Sequence, residues 1–337
     1  MISVIIPLYN KAHTIINTLN TVLKQTYQDF EVIIVNDGST DNGVEIIQQH
    51  FNDKRLRIVN QKNAGVSAAR NKGVSESTHP YIAFLDADDE WLPTYLETMY
   101  LAIKKYPFAD MIGCASYHKD LNNGNISANA LIDKYYKKIE PINYFMNPDR
   151  MTHIGASIIK KEAFIQAGGF DSTISINEDL LLQGKIAMNG LYIYVGDVLH
   201  VYVGGVKGQA TSVLGKGCNR YKDSIIVINQ LYNFYLMTNK KNNLTPIALK
   251  YRFRHLLLNM LKNNQFDMIQ LCIDTLIAPL KKNLYSLFWI KNKKLKYISI
   301  LYIYITKLIW QSHHFPVVGQ KSKYNEEFIE IYKNLKK

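Results

Sequence analysis

Apolar residues follow two rhythms over the first 110 positions. Continuous runs rich in β-branched residues, SVIIPLY, FEVIIVN, LRIVNQ and YIAFL, alternate with segments of helical spacing. In KAHTIINTLNTVLKQT the apolar positions are Ile15, Ile16, Leu19, Val22 and Leu23; DNGVEIIQQHF and VSAARNKGVSES also read as helices. Strands apolar on both faces predict a parallel sheet sandwiched between helices, an α/β fold. Polar groups gather where the strands stop, at Pro7-Leu8-Tyr9, Asn36-Asp37-Gly38 and Asp86-Ala87-Asp88. Ligands of such sheets bind beyond the carboxyl ends of the strands. Three strands therefore deliver chemistry to one edge.

Residues 111–215 read as mixed. KKEAFIQAGGFD is helix-like, NEDLLLQGKIAMNG is a helix with Asn177 as N-cap, and LYIYVGDVLHVYV is one or two strands before the Gly-rich GGVKGQATSVLGKG. From about 219 the pattern is helical, which predicts an α/β unit over 1–218, divided near 110, and a helical region over 219–337. DDEWLPTYLETM is expected to open a helix, with Asp89 and Glu90 complementing its N-terminal dipole. MISVIIPLYN has no basic leader and meets Pro7, so it reads as a first strand rather than a signal peptide.

A hydrophobic content of 47% supports a sizeable core. The net charge of +12 is uneven: residues 1–219 hold 20 Lys and Arg against 22 Asp and Glu, whereas residues 220–337 hold 20 against 6. A tail that basic implies a polyanion, a nucleic acid or an acidic membrane surface. Nothing in it resembles a groove-reading motif, and its arginines are only Arg220, Arg252 and Arg254, which disfavours nucleic acid. Lys, Tyr and Trp interleaved with Leu and Ile in KKNLYSLFWIKNKKLKYISILYIYITKLIW fit an interfacial helix on anionic lipid; a bundle packed on the α/β unit is the plainer alternative. Cys114, Cys218 and Cys272, far apart and odd in number, fit a reducing cytoplasm.

Asp86 and Asp88 flank one residue at a strand end, an arrangement suited to a hard cation such as Mg²⁺ or Mn²⁺ that bridges a diphosphate. Asp37 can accept from a base N–H or a ribose hydroxyl, and Arg70 sits on a helix that opens with Gly65. No G-x-G-x-x-G follows the first strand and no P-loop motif occurs, so a dinucleotide fold and a P-loop NTPase are disfavoured.

Taken in series, SVIIPLYN, VIIVNDGSTD, NAGVSAARNKG, FLDADD and GGFD…NEDLLL resemble the family 2 glycosyltransferases of GT-A fold, over about residues 1–215. The resemblance implies an inverting transferase that moves a sugar from a nucleotide diphosphate, usually UDP, to a glycan or lipid-linked hydroxyl in bacterial surface polysaccharide, lipooligosaccharide or capsule synthesis. Pro7 and Tyr9 would line the base and Asp37 contact it. Arg70 would lie near base and diphosphate, Asp86 near the ribose, and Asp88 on the divalent metal. Asp179 would be the general base, with Glu178 beside it near acceptor or metal. His200 is a further candidate for metal or diphosphate. The implied location is the cytoplasmic face of the cell membrane. A nucleotidyltransferase would need a basic Gly-rich loop after the first strand, which LYNKAHT does not supply; a non-catalytic protein on the same fold would leave Asp179 without a task.

Overall fold

The computed structural model describes residues 1–128, 132–148, 152–209, 218–239, 242–281, 292–315 and 324–335. Strands β1 (Ile2–Leu8), β2 (Phe30–Asp37), β3 (Leu56–Gln61) and β4 (Tyr81–Phe84) alternate with helices α1 (Ile15–Leu23), α2 (Gly43–His50) and α3 (Val66–Glu76). These four strands are mutually parallel in the order β3-β2-β1-β4. Alternate residues of β1 go to opposite faces. Val4, Ile6 and Leu8 pack with Ile15 and Leu19 of α1 and with Leu96 and Met99 of α4 (Tyr95–Lys105). Ile5 meets α3 on the other side.

That contact is close enough to fix a residue type. A Cβ on Gly73 would lie 2.3 Å from Cγ2 of Ile5, and a β-branched side chain in a buried strand has few rotamers to retreat into. Gly→Ala in a helix interior ordinarily stabilises by up to about 1 kcal/mol. Gly73→Ala is expected to do the reverse, costing about 1–3 kcal/mol through overpacking. The urea midpoint would report it, and an unchanged or raised midpoint would contradict it.

The sheet continues past β4 in mixed sense. β9 (Ser157–Lys160) is antiparallel to both β4 and β6 (Met111–Asp120), and β10 (Tyr192–Gly204) runs parallel to β6. The LYIYVGDVLHVYV segment is one strand, kept in pairing by irregularities between Val195 and His200. Short strands complete it: β5 (Glu90–Trp91) and β8 (Ile139–Pro141) pair antiparallel with β10, and β7 (Ile126–Ala128) with β6. The expected helix start at Asp89 is corrected. Glu90-Trp91 is captured as a strand by β10, and α4 begins at Tyr95.

Between these strands lie the one-turn α5 (Ile132–Tyr135), α6 (Lys161–Gln166) and α7 (Glu178–Asn189). The helical region holds α8 (Cys218–Met237), α9 (Leu244–Lys262), α10 (Phe266–Thr275), α11 (Ala278–Lys281), α12 (Lys296–His314) and α13 (Asn325–Leu335). Ile228 and Leu231 of α8, Leu257 and Leu261 of α9, and Ile269 of α10 join Leu181 and Ile186 of α7 in one apolar cluster that reaches the sheet at Ile159 and Tyr192. Among the described residues no helix is long and apolar enough to cross a membrane. The loop after β10, with Thr211 and Ser212, and residues 282–291 of the aromatic stretch lie outside the described residues.

Candidate active site

A cleft of about 560 Å³ opens at the carboxyl ends of β1, β2 and β4. Eight of the nine singled-out residues line it: Pro7, Tyr9, Asp37, Arg70, Asp86 and Asp88 from the parallel half, and Glu178 and Asp179 from the start of α7. His200 is buried behind them and pairs with Asp89 instead.

Asp37, 3% exposed, closes β2. Its Oδ1 accepts from Gln61 Nε2 at 2.7 Å and from the Ala64 amide at 2.9 Å, and Oδ2 from the Gly65 amide at 2.9 Å. Oδ2 keeps acceptor capacity for one more donor. Gly65 caps α3 at φ +89°, in the left-handed region, where a glycine costs no steric strain.

Arg70 is the hub of the site. Its guanidinium, 3% exposed, donates through Nη2 to Asp86 Oδ1 at 2.7 Å and through Nη1 to Glu178 Oε1 at 2.8 Å, and it lies 5.2 Å from the centroid of Phe170. Burial works against its charge, but Asp86 and Glu178 outweigh burial and raise its pKa. The two carboxylates diverge. Burial, reinforced by Asp179, pushes Glu178 up to about 7 against the pull of Arg70. Burial also opposes the charge of Asp86, yet Arg70 and the nearby His153 hold it below the ordinary carboxylate range. The resemblance places Arg70 near the base and diphosphate; in the fold it lines the cleft, and its guanidinium joins strand end to helix start.

Asp179 is the more open member of the Glu-Asp pair. It is half-buried, and its Oδ1 accepts from the Leu180 amide at 2.7 Å. Asn177 begins α7 as expected, but in a left-handed conformation (φ +66°) and without a capping bond from its side chain. Its amide reaches Ser224 Oγ of α8 at 3.0 Å. Asp223, also of α8, accepts from the Ser175 and Ile176 amides at 2.9 and 3.2 Å. Two side chains of the helical region thus hold the segment leading to Asp179. Nothing local marks them, since 47–48 residues separate the partners.

Asp88 already faces a cation. Lys11 Nζ lies 2.6 Å from its Oδ2 and 3.5 Å from the Lys207 carbonyl. The pair stands at a partition, because Asp88 also lines a second cavity of about 580 Å³ floored by Glu90, Lys119 and Tyr332. The cation directly after PLYN was the sequence signal for Lys11, and it went unused. In the floor, Lys119 Nζ donates to Tyr332 Oη and Tyr332 Oη to Glu90, each at 3.1 Å, so Glu90 anchors α13 rather than a helix dipole.

Asp89, His153 and His200 bring potential ligand atoms within 4.8 Å of one another. The two imidazoles stack 16° from parallel with centroids 4.9 Å apart, so their in-plane lone pairs run side by side rather than converge. His200 Nδ1 meets Ser116 Oγ at 3.1 Å and Nε2 meets Asp89 Oδ2 at 3.2 Å. Burial lowers His200 to about 3 and pushes the Asp89 carboxyl up, so their bond is not an ion pair. Asp89 also accepts from the Val203 amide at 3.0 Å and ties β10 beneath the cleft.

Comparison with known proteins gives the chain a family. The profile of Glycosyl transferase family 2 matches residues 3–167. Glycosyltransferase GlyG of Streptococcus pneumoniae serotype 4 is 32% identical over 218 residues, which cover 60% of this chain and 70% of GlyG. The chain belongs to glycosyl transferase family 2. Other similar glycosyltransferases match over shorter lengths. Glycosyltransferase GlyA of the same organism is 36% identical over 148 residues, 43% of this chain and 21% of GlyA. Uncharacterized glycosyltransferase YibD of Escherichia coli K12 is 48% identical over 99 residues, 29% of each. The chain thus spans less than a third of the length of these two. The crystal structure of S. aureus TarS 1–349 in complex with UDP-GlcNAc superposes with a TM-score of 0.67 at 15% identity, over 93% of this chain and 91% of that one. The shared architecture is the expected GT-A fold with a helical C-terminal region.

Proposed function

We propose that this family 2 chain transfers a sugar, with inversion, from a UDP-sugar to a hydroxyl of a glycan or lipid-linked acceptor, in the building of a bacterial surface glycan beside an anionic membrane. One observation carries the reading: Asp37, Asp86, Asp88 and Asp179, from two strand ends and one helix start, share a single cleft. The UDP-GlcNAc complex of TarS supports UDP as the nucleotide.

Pro7 and Tyr9 would flank the base, Asp37 accept its N–H through Oδ2, and Asp86, steadied by Arg70, meet the ribose. The donor set suits a hard divalent cation, Mn²⁺ or Mg²⁺, since Asp88 Oδ2 already holds the Lys11 ammonium and diphosphate oxygens commonly supply further ligands. Asp88 would hold the ion after Lys11 withdraws; His200, whose two nitrogens are engaged, would stay a strut. When bound, the ion supplies Lewis-acid stabilisation of the leaving diphosphate. Asp179 takes the proton of the acceptor hydroxyl. As that oxygen bonds to the anomeric carbon, the bond from this carbon to the diphosphate breaks.

The test is nucleotide release from a panel of UDP-, GDP- and dTDP-sugars with Mn²⁺, Mg²⁺ or EDTA. Slow hydrolysis of a UDP-sugar that EDTA and Asp88→Asn both abolish is the expected result. Release that persists in EDTA would overturn the metal role of Asp88, and failure to bind UDP in calorimetry would overturn the donor reading.

A further inference from the structure

Helix α12 is mounted with its apolar side outward. Ser299 and Ile303 are buried, and half-buried Thr306, Lys307, Trp310 and Gln311 share that side. Lys307 Nζ lies 2.8 Å from His255 of α9. Tyr297, Ile298, Leu301, Tyr302, Tyr304, Ile305, Leu308 and Ile309 are all exposed, from 39% at Tyr302 to 80% at Tyr297. At 100° per residue these eight fill one unbroken arc of about 160°. A soluble helix normally points such a stripe at its own core; here the core takes the other side.

The charge around the arc is of one sign. Exposed Lys293 and Lys294 precede the helix, and from Thr275 to Asn325 the sequence has nine lysines and neither Asp nor Glu. We infer that α12 docks lengthwise on an anionic lipid bilayer, with Leu301, Ile305 and Leu308 entering the acyl boundary, the tyrosines at headgroup level and the flanking lysines on lipid phosphates. A second copy of this chain fits the patch less well, since apposing two such faces would bring like-charged lysines together. The helix is about 28 Å long and would lie in the interface rather than cross it. The inference deepens the acceptor reading above, yet vesicle binding needs neither donor nor metal, so its failure would leave that reaction intact.

Flotation of the full chain with vesicles tests it. The protein is expected to float with vesicles containing phosphatidylglycerol and to remain below with phosphatidylcholine alone. Leu301→Glu with Ile305→Glu should abolish flotation, and Lys293→Gln with Lys294→Gln should weaken partitioning about thirtyfold. All four positions are exposed, and an unchanged thermal melt would confirm intact folding. Three results would overturn the proposal: no flotation with anionic vesicles, flotation insensitive to the glutamates, or a lipid-free dimer in light scattering that the glutamates dissociate.

Discussion

Asp179→Asn is expected to lower turnover by about 10²–10⁴-fold while leaving the affinity for UDP unchanged. Asparagine keeps the shape of the side chain and the oxygen that accepts from the Leu180 amide, so the start of α7 should not move. It removes only the capacity to take up a proton. Glu178 cannot substitute, because its buried carboxylate is held by Arg70 at 2.8 Å. Steady-state rates with a competent acceptor, set beside UDP affinity from calorimetry, separate base loss from misfolding. A variant that turns over at the parental rate would remove Asp179 from the reaction.

Arg70→Met should act on stability before it acts on chemistry. It strands Asp86 and Glu178 without their shared cation, and removing one partner of a buried ion pair typically costs about 3–5 kcal/mol. That is a large part of the roughly 5–15 kcal/mol that holds a domain folded. The loss should depend on pH with a definite sign. Without Arg70 both carboxylates have folded-state pKa values above their unfolded ones, so the folded state binds more protons. The defect should be largest near pH 8 and shrink toward about pH 5 as the carboxylates protonate. Arg70→Lys should rescue only partly, since one ammonium is a single point charge where the guanidinium fork spans two carboxylates. Urea denaturation at both pH values decides it; a pH-independent loss would mean that packing against Phe170 is what Arg70 supplies.

The parallel half was legible because a strand buried on both faces has no polar face to disguise it. The runs ending at Leu8, Asp37 and Phe84 announce themselves, and so do the carboxylates where they stop. Glu90-Trp91 was misread because its capture by β10 outweighs the local preference of an acidic pair before a helix. The hub role of Arg70 was illegible for a related reason. The helix around it is visible in the sequence, but its partner Glu178 is 108 residues away, and only the folded sheet decides that the two meet. Likewise Lys11 reads as an ordinary surface lysine until β4 carries Asp88 to its side.

The two bonds from Asp223 and the contact of Ser224 with Asn177 make the position of Asp179 depend on the rotational phase of α8. A helix turns about 100° per residue. One residue inserted into α8 ahead of Asp223 would swing that carboxylate away from the Ser175 and Ile176 amides. Length changes are therefore tolerable where the chain returns to the surface, and not between α8 and the elements it packs on. In this chain the spacing of a C-terminal helix is part of what sets the position of Asp179.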